Sequence, residues 1–469
     1  MLFFLIPLDK GADVDQQIRQ NRMSPLHVAI KQGHITIAKL LIQHGTDVNS
    51  LSSYGTPLYE AVLQSSMQSA KLLISNGADI NKTSKTRETP LHKSTELEYV
   101  SLMEVLIRAG ADTSIRLQKN EYTPLCVAVE HRKNTALQYL LKSPTREIDI
   151  VVNNGITPLG IAAQMENIEA MRLLMAAGAD VNLLPPTRES DDENRLTLTP
   201  LMIAAKHGHR RAVELLLSKG ARAGTRNQVG NSALHYAVFK HPFDEIKDEG
   251  KIQKVCTLLL KSKANPRVQN NLGVSAFYYA LRKRMFSIVE IFLAYGSNPN
   301  EGDQNESTAF HHLADCPEIY PVLAKYRADA NKPNSEGNTP LHIAASSFET
   351  KPKQLEDLIT EFRAQFTPNN DGELAFHVAK RIENVQFFRA ASADFEAKTK
   401  SGDTLLHCAV RNRLSHLAVR KILKWKCINP DTRNDAGQTA SDLAKLTSNS
   451  EILRVLEDER REREALSKR

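Results

Sequence analysis

Aromatic residues and cysteines are sparse in this chain. Only 6% of its 469 residues are aromatic, and one is tryptophan. The five cysteines are far apart and include no Cys-x-x-Cys pair, so we predict reduced thiols rather than disulfides or a zinc site. The chain has no run of about 18 apolar residues, the length that a membrane-spanning helix needs. The apolar opening segment lacks a basic leader and a cleavage site, so it does not predict a signal peptide.

Motifs of the common enzyme classes are also missing. The chain contains no His-Glu-x-x-His, no Gly-x-Ser-x-Gly and no glycine-rich loop of the phosphate-binding or dinucleotide-binding type. Each of these motifs places a metal ligand, a nucleophile or backbone N–H groups where a reaction needs them. We therefore predict a protein that is not an enzyme, with no catalytic residue, no metal, no cofactor and no small-molecule substrate.

What the sequence does contain is a tetrapeptide, Thr-Pro-Leu-His or a variant of it, that occurs thirteen times. Ten of the twelve intervals between copies are 31 to 35 residues long, and the other two are 42 and 43. A nearly fixed period of this size is typical of repeat arrays. The copies begin at Ser24, Thr56, Thr89, Thr123, Thr157, Thr199, Ser232, Ser275, Thr308, Thr339, Glu373, Thr404 and Thr439.

Each unit has the pattern of two short helices. The Thr or Ser hydroxyl can satisfy a backbone N–H at the start of the first helix, and the following proline needs no N–H there. The second helix carries apolar residues at spacings of three and four, such as Ile37, Leu40 and Leu41, and a glycine such as Gly45 follows it. One unit cannot cover its own apolar face, so stability must come from stacking each unit on the next.

These features resemble the ankyrin repeat. The resemblance rests on the tetrapeptide followed by alanine, as in residues 25–29, and on Gly-Ala-Asp-Ile-Asn or Gly-Ala-Asp-Val-Asn, as at 77–81 and 178–182. It implies an all-α fold, an ankyrin-repeat solenoid of stacked helix-turn-helix units whose loops project as β-hairpin fingers. We divide the chain into a partial N-terminal repeat at 1–22, ankyrin repeats 1–5 at 23–182, a polar insert at 183–198, ankyrin repeats 6–12 at 199–437, a C-terminal capping repeat at 438–457 and a charged tail at 458–469.

Several units depart from the pattern. The first has no first helix and carries Pro7 inside its second helix, and a further insert at 240–251 separates the two helices of its unit. Because some units lack the closing glycine or are short, we predict that residues 305–400 form the least stable segment. The residues that replace the closing glycine are Lys263, Arg327, Arg363, Ser392 and Lys426.

The fourth tetrapeptide position is often histidine. Regular spacing of histidines could indicate a metal or catalytic site, but the resemblance implies a structural residue that bonds the Thr and the backbone of the neighbouring unit. We adopt the structural interpretation. The histidines concerned are His27, His92, His235, His342 and His407.

For function, the resemblance implies a protein-binding scaffold or adaptor that holds its partner along the concave face made by the fingers and first helices. It also implies that asparagines ending Asp-Val-Asn or Asp-Ile-Asn can be β-hydroxylated, although their default role is turn formation. The predicted partner-binding residues at finger tips are Tyr54, Lys85, Arg87, Gln118, Lys119, Arg226, Gln228, Asn270 and Asn271. The candidate hydroxylation sites are Asn49, Asn81 and Asn182.

Positive charge is concentrated in one stretch. Residues 201–284 hold 16 Lys or Arg and 5 Asp or Glu, so 16 − 5 = +11, against +7 for the whole chain. This stretch is either a solvated face or a surface for an acidic segment of a protein partner. Nucleic acid and anionic lipid are not favoured, because no aromatic residues interleave with the cations. We expect a monomer in the cytoplasm or nucleus.

The incomplete first unit favours an alternative. The chain is then the ankyrin-repeat region or a fragment of a larger protein, such as an ion channel, a membrane-skeleton adaptor, a ubiquitin-ligase substrate adaptor or a toxin.

Overall fold

The structure is a computed structural model that describes residues 13–142, 147–153, 155–186, 196–239, 249–391, 394–425 and 427–467. The chain divides into two compact units, the first ending at Asn265 and the second beginning at Pro266. The spacing of the tetrapeptides does not predict this division.

In the first unit the helices come in pairs. A first helix opens with the tetrapeptide, a short turn follows, and the second helix packs against the first and against its counterpart in the next pair. The pairs are α1 (Pro25–Lys31) and α2 (Ile35–Gln43), α3 (Pro57–Leu63) and α4 (Met67–Ser75), α5 (Pro90–Glu96) and α6 (Val100–Arg108), α7 (Pro124–Glu130) and α8 (Asn134–Leu140), α9 (Pro158–Gln164) and α10 (Ile168–Ala176), α11 (Pro200–Lys206) and α12 (Arg210–Ser218), and α13 (Ala233–Val238) and α14 (Glu249–Lys261).

The second unit continues the pattern less regularly. A 3₁₀ turn at Pro317–Ile319 precedes the second helix of one pair, and α21 has no first helix before it. The helices are α15 (Ala276–Arg282), α16 (Phe286–Ala294), α17 (Ala309–Leu313), α18 (Tyr320–Lys325), α19 (Pro340–Ser346), α20 (Pro352–Thr360), α21 (Ile382–Ala390), α22 (Leu405–Arg411), α23 (His416–Leu423), α24 (Ala440–Leu446) and α25 (Ser450–Ser467).

The tetrapeptide starts the first helix as its chemistry predicts. The Tyr59 backbone N–H donates to Thr56 Oγ1 at 3.2 Å, and the Met202 backbone N–H donates to Thr199 Oγ1 at 3.2 Å. In both helices proline occupies the first turn, where its missing N–H costs nothing. The tetrapeptide is therefore the start signal of the first helix.

The core lies between the helices of successive pairs. The tetrapeptide leucines are fully or almost fully buried, as at Leu26 and Leu58, and so are second-helix alanines such as Ala38 and Ala70. Burying a leucine side chain stabilises a fold by about 2 kcal/mol, and alanine lets neighbouring helices approach closely. The all-α repeat architecture predicted from the sequence is confirmed.

Left-handed residues end the second helices. Gly77 has φ +82°, and the replacements Lys263, Arg327 and Arg363 keep the same conformation at φ 63°, 56° and 54°. A residue other than glycine in the left-handed conformation costs about 1 kcal/mol of stability. These three turns therefore keep their shape but are locally strained. The other two predicted replacements, at 392 and 426, lie outside the described residues.

We call each loop between a second helix and the next first helix a finger. Among the described residues β pairing is limited to two isolated bridges, Val152 with Ile156 and Gln269 with Ser275. The fingers are tight turns instead of extended strands. They are joined edge to edge by backbone hydrogen bonds: the Gln118 N–H donates to the Thr86 carbonyl at 3.2 Å.

Some sequence predictions fall outside the described residues or change in the structure. The opening segment around Pro7 and most of both inserts lie outside the described residues. The copy at Glu373 forms turns in place of a helix, because it has neither a hydroxyl cap nor a proline. The predicted boundary between capping repeat and tail at 457/458 falls inside α25, whose Arg463 donates to the carbonyls of Leu423 and Ile428 at 3.2 and 3.3 Å.

Candidate functional site

The tetrapeptide histidine joins adjacent repeats. His92 is fully buried, with Nδ1 2.8 Å from Thr89 Oγ1, and it accepts the Thr89 backbone N–H at 3.3 Å. On the other side of the ring, Nε2–H donates to the Tyr122 carbonyl of the next finger at 3.2 Å. This confirms the structural interpretation. The corresponding Nε2–H bonds are His27 to Gly55, His342 to Glu373 and His407 to Gln438, at 3.0, 2.9 and 2.9 Å.

These bonds require the neutral imidazole, since Nδ1 accepts while Nε2 donates. Burial lowers the pKa of His92 and His377 to about 4. It also lowers the pKa of His27, His311 and His342. Both ring nitrogens of His92 are therefore engaged by the fold, and neither is available to bind a metal or transfer a proton.

Two histidines of this kind were not among the five predicted from the sequence. His311 donates from Nε2 to the Asn338 carbonyl at 2.8 Å, and His377 donates to the Ala397 carbonyl at 3.2 Å. Both follow Ala-Phe where stronger copies have Pro-Leu. The repeat interval alone places both histidines where other repeats carry the tetrapeptide histidine, so the sequence contained enough information to predict their role.

The candidate hydroxylation sites form a second series of links between repeats. Asn81 donates from Nδ2 to the Gly110 carbonyl at 3.3 Å, and its Oδ1 accepts the Asp112 N–H at 2.8 Å. Asn49 and Asn182 make the equivalent bonds to the next repeat. Asn300 and Asn331 do the same in the second unit. The amide is thus a bridging group, and its modification stays a prediction.

The structure places four of the predicted binding residues together. Lys85 and Arg87 flank Thr86, whose carbonyl accepts the backbone N–H of Gln118, and Lys119 follows Gln118. All four side chains are exposed. We call Lys85, Arg87, Gln118 and Lys119 the finger patch. Tyr54, 56% exposed, lies on the preceding finger.

The remaining predicted binding residues lie elsewhere. Arg226 and Gln228 share one finger, where Arg226 Nε donates to the Gly230 carbonyl at 3.0 Å and Gln228 Oε1 accepts the Thr197 N–H at 3.3 Å. Asn271 is exposed, but its neighbour Asn270 is buried.

Asn270 supports its own turn. Its Oδ1 accepts the N–H groups of Leu272 and Val274, each at 3.0 Å. It is therefore a turn residue and not an exposed contact. Leu272, which follows the exposed Asn271 in that finger, is 65% exposed.

The basic stretch is divided between the two compact units. The division after Asn265 runs through it, so its cations belong to two units. Within the first unit, Arg210 and Arg211 of α12 and Lys251 and Lys254 of α14 line a common cleft. The structure thus brings together cations that are about forty residues apart in the sequence.

Three further observations concern metal ligands, thiols and membrane spans. In the described parts of the chain, no group of three or more His, Cys, Asp or Glu side chains is arranged to hold a metal ion. All five cysteines are unbridged, and burial raises the pKa of the Cys126 thiol to about 11. None of the helices in the described ranges has both the length and the apolar character that crossing a membrane requires.

Family models match most of the chain. The model described as "Ankyrin repeats (3 copies)" matches residues 1–84, 67–153, 91–184, 183–247 and 279–359, and the model "Ankyrin repeat" matches 229–271. The human ASB11 ankyrin repeat domain, a solved structure, is 27% identical with a TM-score of 0.40, covering 52% of this chain and 100% of that domain.

Curated relatives match over shorter segments. The mouse (Mus musculus) B-cell lymphoma 3 protein homolog is 35% identical over 99 residues, 20% of this chain and 22% of that protein. The E3 ubiquitin-protein ligase XBAT32 of Arabidopsis thaliana is 34% identical over 164 residues, 34% of this chain and 30% of that protein. The chain therefore spans about a fifth to a third of these relatives.

Proposed function

The chain belongs to the ankyrin-repeat family, and from that premise we propose that it is a non-catalytic scaffold or adaptor that binds another protein along its fingers and first helices. Ankyrin repeats are protein–protein interaction modules. The proposal extends this to a specific surface, the finger patch with Tyr54 beside it.

The observation that supports the proposal most directly is the bonding between fingers. The Ser53 N–H donates to the Asn21 carbonyl at 2.8 Å, and the Gln118 N–H donates to the Thr86 carbonyl at 3.2 Å. The finger patch therefore stands on turns that are held by their neighbours. Fixing a surface before binding reduces the ordering entropy that a partner must overcome.

The charge of this surface favours an acidic partner. Within residues 82–88 and 115–122 there are five cations and two anions, so 5 − 2 = +3. Both anions are engaged: Glu88 accepts the Tyr59 hydroxyl at 2.5 Å, and Glu121 pairs with Arg116 at 3.1 Å. We propose that the partner presents an acidic segment here, since opposite charge speeds association and selects the partner. The cations are Lys82, Lys85, Arg87, Arg116 and Lys119.

A charge-matched pair of variants tests the surface. Lys85→Gln with Lys119→Gln removes two cations from the finger patch. Lys39→Gln with Lys71→Gln removes two exposed cations from the second helices α2 and α4 and is the control. Proteins captured from the source cells should be lost with the first variant and retained with the second. A captured set that is identical for both variants contradicts a role of the finger patch.

A second candidate follows from the partial matches. We propose as the alternative that these repeats are the partner-binding region of a larger protein, which agrees with the small share of each relative that the chain matches. Sequencing transcripts of the source gene decides between the two candidates, because a reading frame that extends beyond this chain supports the larger protein. In either case we propose a monomer in the cytoplasm or nucleus, with a protein and not nucleic acid or lipid as the partner.

A further inference from the structure

A basic cleft lies at the other end of the repeats from the fingers. It has a volume of 460 Å³ and is formed where the turn between α11 and α12 meets α14. Because the two helices of a pair run antiparallel, the turn between them and the finger after them are at opposite ends. The cleft is therefore a separate surface from the finger patch.

Positive charge dominates the cleft. Arg210, Arg211, Lys251 and Lys254 line it, and the acidic lining residues are Glu166 and Glu214, so the balance is 4 − 2 = +2. Glu214 pairs with Arg210 at 2.8 Å, which neutralises one cation locally.

Two cations remain available. In the described ranges no ion pair engages Arg211 or Lys254, and both are exposed. They stand on two neighbouring helices that face the same opening. A ligand with carboxylates at intervals along a chain can therefore reach both.

Two imidazole rings form one wall of the cleft. The imidazole rings of His207 and His209 stack with centroids 5.6 Å apart and planes 12° from parallel. His209 is held in place because its Nε2 lies 2.9 Å from the Gln164 carbonyl. Such a wall offers apolar area for the backbone and methylene groups of a peptide. The amino terminus of α12 begins beside this wall and adds positive potential.

We propose that this cleft is a second binding site that takes an extended acidic peptide segment, with Arg211 and Lys254 as its main charge contacts. An acidic peptide fits better than a compact phosphate group, because Glu166 and Glu214 already lie in the cleft and repel a dense anion, whereas spaced carboxylates can avoid them. The site does not depend on the finger patch.

Oligo-glutamate with a fluorescent label is the probe, measured by anisotropy against the full chain at low and at physiological salt. The double variant Arg211→Gln with Lys254→Gln should bind about tenfold more weakly at low salt. The control Lys219→Gln with Lys261→Gln removes two exposed cations at the carboxyl ends of the same two helices, where Lys219 follows α12 and Lys261 ends α14. It has the same net charge as the cleft variant and should bind as the unmodified chain does. The finger variant Lys85→Gln with Lys119→Gln should also keep the affinity of this site.

If the control variant weakens oligo-glutamate binding as much as the cleft variant does, binding depends on net charge alone and the proposal is wrong. Loss of affinity only in the finger variant would place the acidic segment on the finger patch and overturn it as well, while leaving the proposed function intact. Anionic vesicles and duplex DNA are tested in the same way. If either binds more tightly than oligo-glutamate and loses affinity in the cleft variant, the cleft belongs to another class of partner and the proposal is wrong. Circular dichroism of each variant verifies that it is folded.

Discussion

Nε2 of His27 lies 3.0 Å from the carbonyl oxygen of Gly55, a residue of the following finger. The same imidazole caps its own helix through Ser24. One side chain therefore fixes the start of a helix and the position of the next repeat, so losing it should affect both.

Replacing His92 by Ala tests this coupling. The variant leaves the Tyr122 carbonyl and the Thr89 N–H without their buried partner, so we expect a loss of about 3 kcal/mol in the free energy of unfolding. Urea denaturation of the first unit measures it. His34→Ala is the control, because His34 is exposed and makes no capping bond, and it should change stability by less than about 0.5 kcal/mol. Equal losses would contradict the bridging role.

Stability should fall in mild acid. His92 is neutral in the fold with a pKa of about 4, whereas an unfolded histidine titrates near 6.5. The unfolded state therefore binds one more proton between these values, so the stability from this group is complete above about pH 6.5 and is lost as the pH falls toward 4. The slope is about 1.4 kcal/mol per pH unit for each such histidine. Urea titrations of wild type and His92→Gln between pH 7.5 and 4.5 measure how the free energy of unfolding depends on pH. This dependence should be weaker in the variant, and equal dependence in both proteins would refute the lowered pKa of His92.

The asparagine links predict coupling between repeats. Asn81→Ala removes the bonds to the Gly110 carbonyl and the Asp112 N–H, which we expect to cost about 1.5 kcal/mol. Asn76→Ala removes an amide whose bonds stay within its own helix turn, to Leu72 and Ser75, and should cost less. Denaturation measures the difference. Intact mass reports whether Asn49, Asn81 or Asn182 gains an oxygen in the source cells.

Close contact between fingers predicts a difference between two glycines of the second unit. A Cβ on Gly337 would lie 2.6 Å from the Asn370 backbone nitrogen, whereas one on Gly437 meets nothing within 4 Å. Their φ values, 77° and 73°, are nearly equal, so both alanine variants bear the same left-handed cost of about 1 kcal/mol. Gly337→Ala should lose about 1 to 2 kcal/mol more, because it disturbs the bond from the Asn370 N–H to the Glu336 carbonyl. Equal losses would show that the fingers move apart freely.

Residues 305–400 should exchange amide hydrogens fastest. Here α17 has five residues, α18 has six, and the Glu373 copy forms no helix. Few helical hydrogen bonds and strained closures at Arg327 and Arg363 both favour local opening. Hydrogen exchange followed by mass spectrometry compares this stretch with α3 to α12, and slowest exchange here would refute the prediction.

The repeat architecture was readable from the sequence because each signal acts locally. The Thr56 hydroxyl accepts the backbone N–H of Tyr59, three residues further on, and Gly77 ends the helix before it. Both signals recur with the same period. The role of His92 also followed, although only through the resemblance. The closing turn at Lys263 could be predicted although glycine is missing there, because the repeat pattern on both sides of it is intact.

Side-chain partners across repeats were decided only by the tertiary structure. Asn270 and Asn271 are adjacent and chemically identical, yet one is buried in its turn and the other is exposed. Arg211 and Lys254 line one cleft because packing places α12 beside α14, and no local signal in either segment records the other. Periodicity along the chain determines which helices form, whereas the stacking of those helices decides which distant side chains meet.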